Sequence, residues 1–469
     1  MEKVSEIKFG TDGWRGMIAR EFTFNNVRRV SQAMAQYLKD EALKNKKPLP
    51  QVLIGYDRRF QSETFAREAA KVFAGNKIKT ILSSEVLTTP AVSFLTHKLN
   101  SWGVMVTASH NPATYNGIKI KHDGRGAVEN ITQAVEACLD KDSPSYDVDF
   151  KEQSYKTEYL SYLKSRVNIS KIKSNLKKPI VIDYMHGAGG GLLEEILPGK
   201  KIISLRSERD PLFGGSAPEP VESNLKDLMA RVPKEKAALG IALDGDADRF
   251  ALVDDRGNYL TPCQIFPLVI HYLVEHKKIK GKIVQSVSMG YLAERMAKAY
   301  GLDFEELPVG FKNVAEALAT GSAAIGGEES GGYSWTKQVA ERDGLLTALL
   351  FLEMEVSLKK PISQLWREIS EKYGKSFFKR VDYRLHKPVA DKNLFVARLV
   401  KKLPKKILGS AIQNLIQIDG LKIVLAEGHW LLMRPSGTEP LMRVYAESDS
   451  AARTQALLDL AKKWVAPNI

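Results

Sequence analysis

Leu239-Gly240-Ile241-Ala242-Leu243-Asp244-Gly245-Asp246-Ala247-Asp248-Arg249-Phe250-Ala251-Leu252-Val253 is the stretch that decides the architecture. A short apolar run ends in an acidic turn, and a second apolar run follows at once. Such runs, bounded by turn residues, read as buried strands. The same theme, an apolar run, a polar or Gly-rich turn and then a helical pattern, recurs along the chain. Residues 52–56 lead into Asp57-Arg58-Arg59 and a helix from Ser62. Residues 103–107 lead into Ala108-Ser109-His110-Asn111-Pro112, and 179–184 into Met185-His186-Gly187-Ala188-Gly189-Gly190. Residues 282–288 precede Met289-Gly290 and a helix, and 323–326 precede Gly327-Glu328-Glu329-Ser330-Gly331-Gly332. Strands alternating with helices at this spacing predict α/β units with largely parallel sheets. Ligands of such sheets sit at the carboxyl ends of the strands. Most of these turns carry residues capable of chemistry, which points to an enzyme.

From residue 373 the pattern changes. Strands at 421–426, 429–433 and 442–446 and an amphipathic helix at 451–465 predict a smaller α+β domain. Turn-rich stretches at 140–149, 254–258 and 371–376 divide the chain into segments 1–148, 149–256, 257–372 and 373–469. A length of 469 residues suits about three domains by the usual prior of roughly 150 residues each. With 44% hydrophobic and 26% charged residues, a disordered chain is excluded. Cys138 and Cys263 are the only cysteines and form no C-x-x-C pair, so a reducing cytoplasm is expected. The N-terminus lacks the apolar core of a secretory signal. No apolar run approaches the roughly 20 residues that span a bilayer, so no membrane partner is expected.

Sixty-nine Lys and Arg against 55 Asp and Glu leave a net charge of +14. Basic clusters at 44–47, 171–178, 277–282 and 401–406 do not interleave with aromatics. No nucleic-acid partner is expected, and a phosphorylated small molecule fits the surplus.

Four constellations carry chemistry. In Thr107-Ala108-Ser109-His110-Asn111-Pro112 a strand delivers a serine to its carboxyl end; an ordinary Ser-Asn-Pro turn would read the same way. No G-x-S-x-G elbow exists, so an α/β-hydrolase is not indicated. A serine among cations can instead accept and donate a phosphoryl group. Asp244, Asp246 and Asp248 stand at i, i+2 and i+4 between two apolar runs, where like charges repel unless a cation neutralises them. Hard oxygen ligands point to Mg²⁺, with Ca²⁺ and Mn²⁺ as alternatives. An EF-hand fails because Arg249 occupies the position of its obligatory glycine. The loop Gly326-Gly327-Glu328-Glu329-Ser330-Gly331-Gly332 offers acceptors and a donor for hydroxyl groups. Arg434-Pro435-Ser436-Gly437-Thr438-Glu439-Pro440 can form a phosphate nest or a plain hairpin turn. Gly187-Ala188-Gly189-Gly190-Gly191-Leu192 imitates a dinucleotide fingerprint, but Leu192 stands where its third glycine belongs. No P-loop occurs.

In this chain order, and together with Phe9-Gly10-Thr11-Asp12-Gly13-Trp14-Arg15-Gly16, the four motifs resemble the α-D-phosphohexomutase superfamily, the phosphoglucomutases and phosphomannomutases. The resemblance spans nearly the whole chain. It implies three related α/β domains with mixed, largely parallel sheets and a smaller C-terminal α+β domain around a central cleft. It implies reversible phosphoryl transfer between the 1- and 6-positions of a hexose phosphate, through a phosphoserine enzyme and a hexose 1,6-bisphosphate. By position, Ser109 matches the phosphoserine. Asp244, Asp246 and Asp248 match the Mg²⁺ ligands, with the Ser109 phosphate as a further ligand. Arg15, His110, Lys119 and Arg249 match residues near the transferring phosphate. Lys312 lies in a loop that approaches the sugar, and Glu328 and Ser330 match its hydroxyl contacts. Arg434, Ser436, Gly437 and Thr438 match the loop that holds the other phosphate. The partners implied are hexose phosphates, with the chain a monomer or homodimer. Gly332 departs from the family's frequent histidine, which argues against a phosphoglucosamine mutase. Glu328-Glu329-Ser330 resembles glucose-preferring members. The rivals are a phosphoglucosamine mutase, a metal-dependent sugar phosphatase using the same serine, and an inactive sugar-phosphate binder.

Overall fold

The computed structural model describes residues 7–10, 12–140, 144–389, 391–436 and 440–466. Uninterrupted aliphatic runs form strands covered on both faces, as parallel sheets require. Val52–Tyr56 is buried along its whole length and pairs in parallel with Thr80–Ser83 and with Trp102–Val106. Lys151–Gln153 extends the parallel edge. On the other side the chain turns back. Tyr115–His122 pairs antiparallel with Trp102–Val106, and Trp14–Met17 pairs antiparallel with it. The loop at 107–114 therefore projects from the carboxyl end of a central parallel strand. Connecting helices are fixed by their caps: Thr23 accepts from Asn26 N ahead of Phe24–Lys44, and Thr88 accepts from Ala91 N ahead of Thr89–Lys98.

The second sheet repeats this plan. Gly240–Leu243 runs parallel to Ile180–Asp183, itself parallel to Ile202–Leu205. Phe250–Val253 folds back antiparallel, so 244–249 is again a loop at the carboxyl end of a parallel strand. In a third sheet Ile283–Ser286 lies parallel to both Phe304–Leu307 and Ile325–Glu328. The last sheet is antiparallel throughout, in the order Phe377–Arg384, Leu441–Ser448, Trp430–Pro435, Leu421–Leu425, Ser410–Ile416, Lys406–Ile407. Leu457, Leu458, Ala461 and Val465 of the helix Ala451–Val465 join its core.

The α/β class and the C-terminal α+β domain are as expected from sequence, with corrections. Of the expected 326–332 loop only Glu329, Ser330 and Gly331 lie outside strands: Gly326 and Gly327, opposite Val284 and Gln285, and Glu328 continue the strand Ile325–Glu328, and Gly332 opens the strand Gly332–Trp335. Lys312 is not on a loop but in the first turn of the helix Phe311–Ala319. The final sheet has three strands beyond those expected, because Phe377–Arg384, Lys406–Ile407 and Ser410–Ile416 are too exposed to leave an apolar run. The chain gathers into two compact units. One comprises 1–259, 318–321 and 331–362, and the other 260–317, 322–330 and 363–469. No helix among the described residues is long and apolar enough to cross a membrane.

Candidate active site

Ser109 lies three residues past the end of Trp102–Val106, with φ +52°. An L-residue in the left-handed region costs about 1–2 kcal/mol and persists only where its surroundings over-determine it. Here a fully buried guanidinium does so. Arg59 Nη2 donates to Ser109 O at 2.5 Å and Asn111 O at 2.6 Å, and Nη1 to Pro112 O at 2.9 Å and Tyr115 O at 3.1 Å. Asp57 pairs with Arg59 Nε at 3.3 Å and accepts the Thr107 hydroxyl at 2.6 Å, while Thr107 Oγ1 accepts from Ser109 N at 2.9 Å. The serine is thus held from both sides by groups of the same compact unit.

The acidic loop meets it directly. A Cβ on Gly245 would lie 2.5 Å from Ser109 O, so no larger residue allows this approach. Ala188 N donates to Gly245 O at 2.9 Å. The Gly-rich turn that imitates a dinucleotide fingerprint therefore braces the acidic loop. Ser109 Oγ donates to Asp244 Oδ2 at 2.7 Å. Asp246 Oδ2 accepts from Lys119 Nζ at 2.9 Å and Thr89 Oγ1 at 2.5 Å. Asp248 Oδ2 accepts from Lys119 Nζ and from Arg342 Nη2, both at 2.9 Å.

One oxygen from each of the three aspartates lies within 4.8 Å of the others. The second oxygens of Asp246 and Asp248 are buried without a hydrogen-bond partner. Unpartnered buried carboxylate oxygens are costly, and a hard divalent cation removes that cost. The cluster fits such an ion. Burial, reinforced by Asp246 and Asp248, holds the Asp244 carboxyl well above the ordinary carboxylate range. For Asp246 burial acts upward too, but Lys119 and Thr89 outweigh it and leave this carboxyl low.

A cationic ring surrounds the loop. Lys119 Nζ is 2.7 Å from Asp12 Oδ2, and Arg342 Nη2 is 3.0 Å from the same oxygen. Burial alone would raise the Asp12 carboxyl, yet Lys119, Lys121, Arg342 and Arg15 hold it well below its ordinary value. Burial lowers Lys119, but Asp12, Asp246 and Asp248 together raise it. Arg15 Nη1 donates to Asn111 Oδ1 at 2.5 Å. Arg249 Nη1 lies 3.4 Å from Glu219 Oε1, and its backbone N donates to Asp244 Oδ1 at 3.0 Å. His110 Nδ1 is 3.4 Å from Ser109 Oγ. Burial first, then Arg249, Arg15, Arg342 and Lys119, hold this imidazole well below its ordinary value, so it is uncharged at neutral pH.

Arg15, Ser109, His110, Lys119, Asp244, Asp246, Asp248 and Arg249 are thus gathered within the first compact unit. Lys312, Glu328, Ser330, Arg434 and Ser436 belong to the second. There Glu328 Oε1 accepts from Gly310 N at 2.7 Å and Oε2 from Ser330 Oγ at 2.6 Å. Glu329 accepts from Ser288 Oγ at 2.6 Å. Arg434 Nε donates to Asp419 Oδ2 at 2.7 Å. Burial opposes its charge, but Asp419, with Tyr445 and Glu329, raises the guanidinium overall. Ser436 N donates to Leu441 O at 2.8 Å across the base of the loop. Gly437 and Thr438 lie outside the described residues.

Sequence reading passed over Asp12, Arg59, Thr89, Arg342 and Asp419. Asp12 sits in the Gly-rich N-terminal motif and Arg59 in a turn at a strand end, so their positions were signals. Glu341-Arg342-Asp343, abutting the apolar helix Gly344–Leu358, was another. Thr89 and Asp419 carry no signal in one sequence.

Comparison with known proteins agrees over the full length. Four family profiles of phosphoglucomutase/phosphomannomutase match: alpha/beta/alpha domain I at residues 6–145, domain II at 157–257, domain III at 261–373, and the C-terminal domain at 387–462. A phosphoglucomutase/phosphomannomutase of Thermococcus kodakarensis is 30% identical over 97% of each chain. A phosphoglucosamine/phosphogalactosamine mutase of Sulfurisphaera tokodaii is 30% identical over 97% of this chain and 98% of its own. A crystal structure assigned as a phosphomannomutase from Thermus thermophilus superposes with a TM-score of 0.88 and 30% identity. That match covers 99% of this chain and 100% of the other.

Proposed function

Because this chain belongs to the phosphoglucomutase/phosphomannomutase family of phosphohexomutases, which are intramolecular phosphotransferases, we propose that it interconverts glucose 1-phosphate and glucose 6-phosphate, and uses mannose phosphates as well. One observation carries the reading: the Ser109 hydroxyl is bonded to Asp244, inside a carboxylate cluster with two unpartnered oxygens. A serine so placed can carry a phosphoryl group next to a metal. Phospho-Ser109 gives its phosphoryl group to the free hydroxyl of the sugar, forming a hexose 1,6-bisphosphate and leaving Ser109 as the hydroxyl. The bisphosphate turns over, and its other phosphate returns to Ser109. Asp244, Asp246, Asp248 and a Ser109 phosphate oxygen hold Mg²⁺, which when bound neutralises charge on the transferring group.

Lys119, Arg15 and Arg249 add fixed positive charge around that group. His110, uncharged and beside Ser109 Oγ, is able to accept a proton there. Lys312, Glu328 and Ser330 hold the sugar. Arg434, Ser436, Gly437 and Thr438 grip the phosphate that is not reacting. The functional division follows segments 1–148, 149–256, 257–372 and 373–469, each contributing one of the four loops. Glu328 and Ser330 read hydroxyls that glucose and mannose share in configuration, so both sugars are accepted.

The test is a coupled assay of glucose, mannose, galactose and glucosamine 1-phosphates, with and without glucose 1,6-bisphosphate. We expect the highest kcat/KM for glucose, stimulation by the bisphosphate, and a loss of several orders of magnitude in Ser109→Ala. Bisphosphate-independent release of inorganic phosphate would mark a phosphatase. A clear preference for glucosamine phosphate would overturn the sugar assignment.

A further inference from the structure

Arg434 is held from behind by a carboxylate. Its Nε donates to Asp419 Oδ2, and the two side chains are only 11% and 13% exposed. Fixing Nε fixes the guanidinium plane, and with it the direction of both terminal amino groups. The turn that carries Asp419 is shaped for this contact. Gly420 has φ +96°, and a Cβ there would lie 2.5 Å from Met433 O and 3.0 Å from Arg434 Cα. Leu421 pairs with Met433 in the adjoining antiparallel ladder, so the turn meets its partner strand at Arg434.

The same Asp419 oxygen accepts from Val309 N at 3.3 Å. The next residue, Gly310, donates its N–H to Glu328 Oε1, and the other Glu328 oxygen holds Ser330 Oγ. One carboxylate therefore ties the arginine of the phosphate loop to the backbone segment that orients the sugar-loop carboxylate. All these groups belong to one compact unit.

We propose that Asp419 is a positioning residue that holds Arg434 and the 308–310 segment in one register, so that phosphate binding and hydroxyl recognition depend on each other. Its consequences for turnover rest on the hexose phosphate reading above; its effect on Arg434 does not. An arginine free to swing must be ordered at each binding event, and a substrate that has to order its own clamp binds more weakly.

The test compares wild type, Asp419→Asn, Asp419→Ala, Arg434→Ala and the Asp419→Ala/Arg434→Ala double variant, each assayed below its own Tm. Asp419→Ala should raise KM for glucose 1-phosphate and glucose 6-phosphate about tenfold, with a smaller change in kcat. Asp419→Asn keeps an acceptor for Nε and should recover most of the loss. In the Arg434→Ala background, Asp419→Ala should add less than about twofold, since Arg434 is gone and only the longer contact to Val309 N remains to be lost. Unchanged KM values, or effects that multiply in the double variant, would overturn the proposal. Calorimetry with inorganic phosphate separates this inference from the mutase reading. Asp419→Ala should remove the Arg434-dependent part of phosphate binding even if wild type turns over no hexose phosphate. Retention of that part would overturn the role of Asp419 regardless of the reaction.

Discussion

At the scale of single residues the centre is costly by construction. Ser109 occupies a left-handed backbone conformation, and Asp244 is buried beside two further carboxylates. Arg59 carries the first cost by bonding three carbonyls of the serine loop and that of Tyr115 just beyond it. The second is offset in part by Arg249 and the Ser109 hydroxyl, and a bound cation would relieve the rest. Because the folded-state carboxyl of Asp244 lies well above its unfolded value, metal-free stability falls as pH rises through the ordinary carboxylate range toward the folded value. Asp244→Asn removes one charge from the cluster. Without metal at pH 8 the variant should be more stable than wild type. It should also show little of wild type's rise in Tm on adding Mg²⁺, and should lose most activity. Thermal melts in chelator and in Mg²⁺ decide this; an equal Mg²⁺ shift in both proteins would remove Asp244 from the metal site.

At the scale of elements the helix Gly344–Leu358 is the clearest case. Almost all of it is buried, so its start must be satisfied internally. Asp343 does this by accepting from Leu346 N at 2.9 Å, and it also accepts from Tyr159 Oη at 2.9 Å. Burial nonetheless pushes its carboxyl up to about 7, against the help of these donors. The folded state therefore binds a proton that the unfolded state releases between about pH 4 and 7. This contribution to stability is full below the unfolded value and is lost as pH rises to the folded one. Asn caps as well as Asp but does not titrate. The unfolding free energy of Asp343→Asn should gain on wild type steadily from pH 5 to 7, by up to about 1.4 kcal/mol per pH unit, and then run parallel above pH 8. Parallel curves throughout would show an ordinary carboxyl.

For the whole molecule the relevant quantity is the charge of +14. A dianionic hexose phosphate is drawn toward such a surface, and salt weakens the attraction as the screening length falls from roughly 30 Å at 0.01 M to roughly 10 Å at 0.1 M. KM for glucose 1-phosphate should rise about two- to fivefold over that range while kcat changes less. A KM indifferent to salt would place the attraction wholly in the buried cations Lys119 and Arg342, which bulk ions screen far less.

The α/β class was legible because buried parallel strands leave uninterrupted apolar runs such as Val52–Tyr56 and Gly240–Leu243, and because turn residues mark where each run ends. Ser109, Asp244, Asp246 and Asp248 were legible for the same reason, since reactive residues directly after such runs fall at strand ends. Phe377–Arg384 was hidden because an edge strand with one wet face looks like a polar loop. Partners distant in sequence were hidden entirely. Thr89 on Asp246, Arg342 on Asp12 and Asp248, and Arg59 beneath Ser109 meet only once the sheet is formed. Periodicity is a local property of the chain, so it revealed the buried strands and the chemistry-bearing turns at their ends, but not the exposed strands. Which carboxylate oxygens are bonded and which are left for a cation depends on donors many residues away, and only tertiary packing decided that.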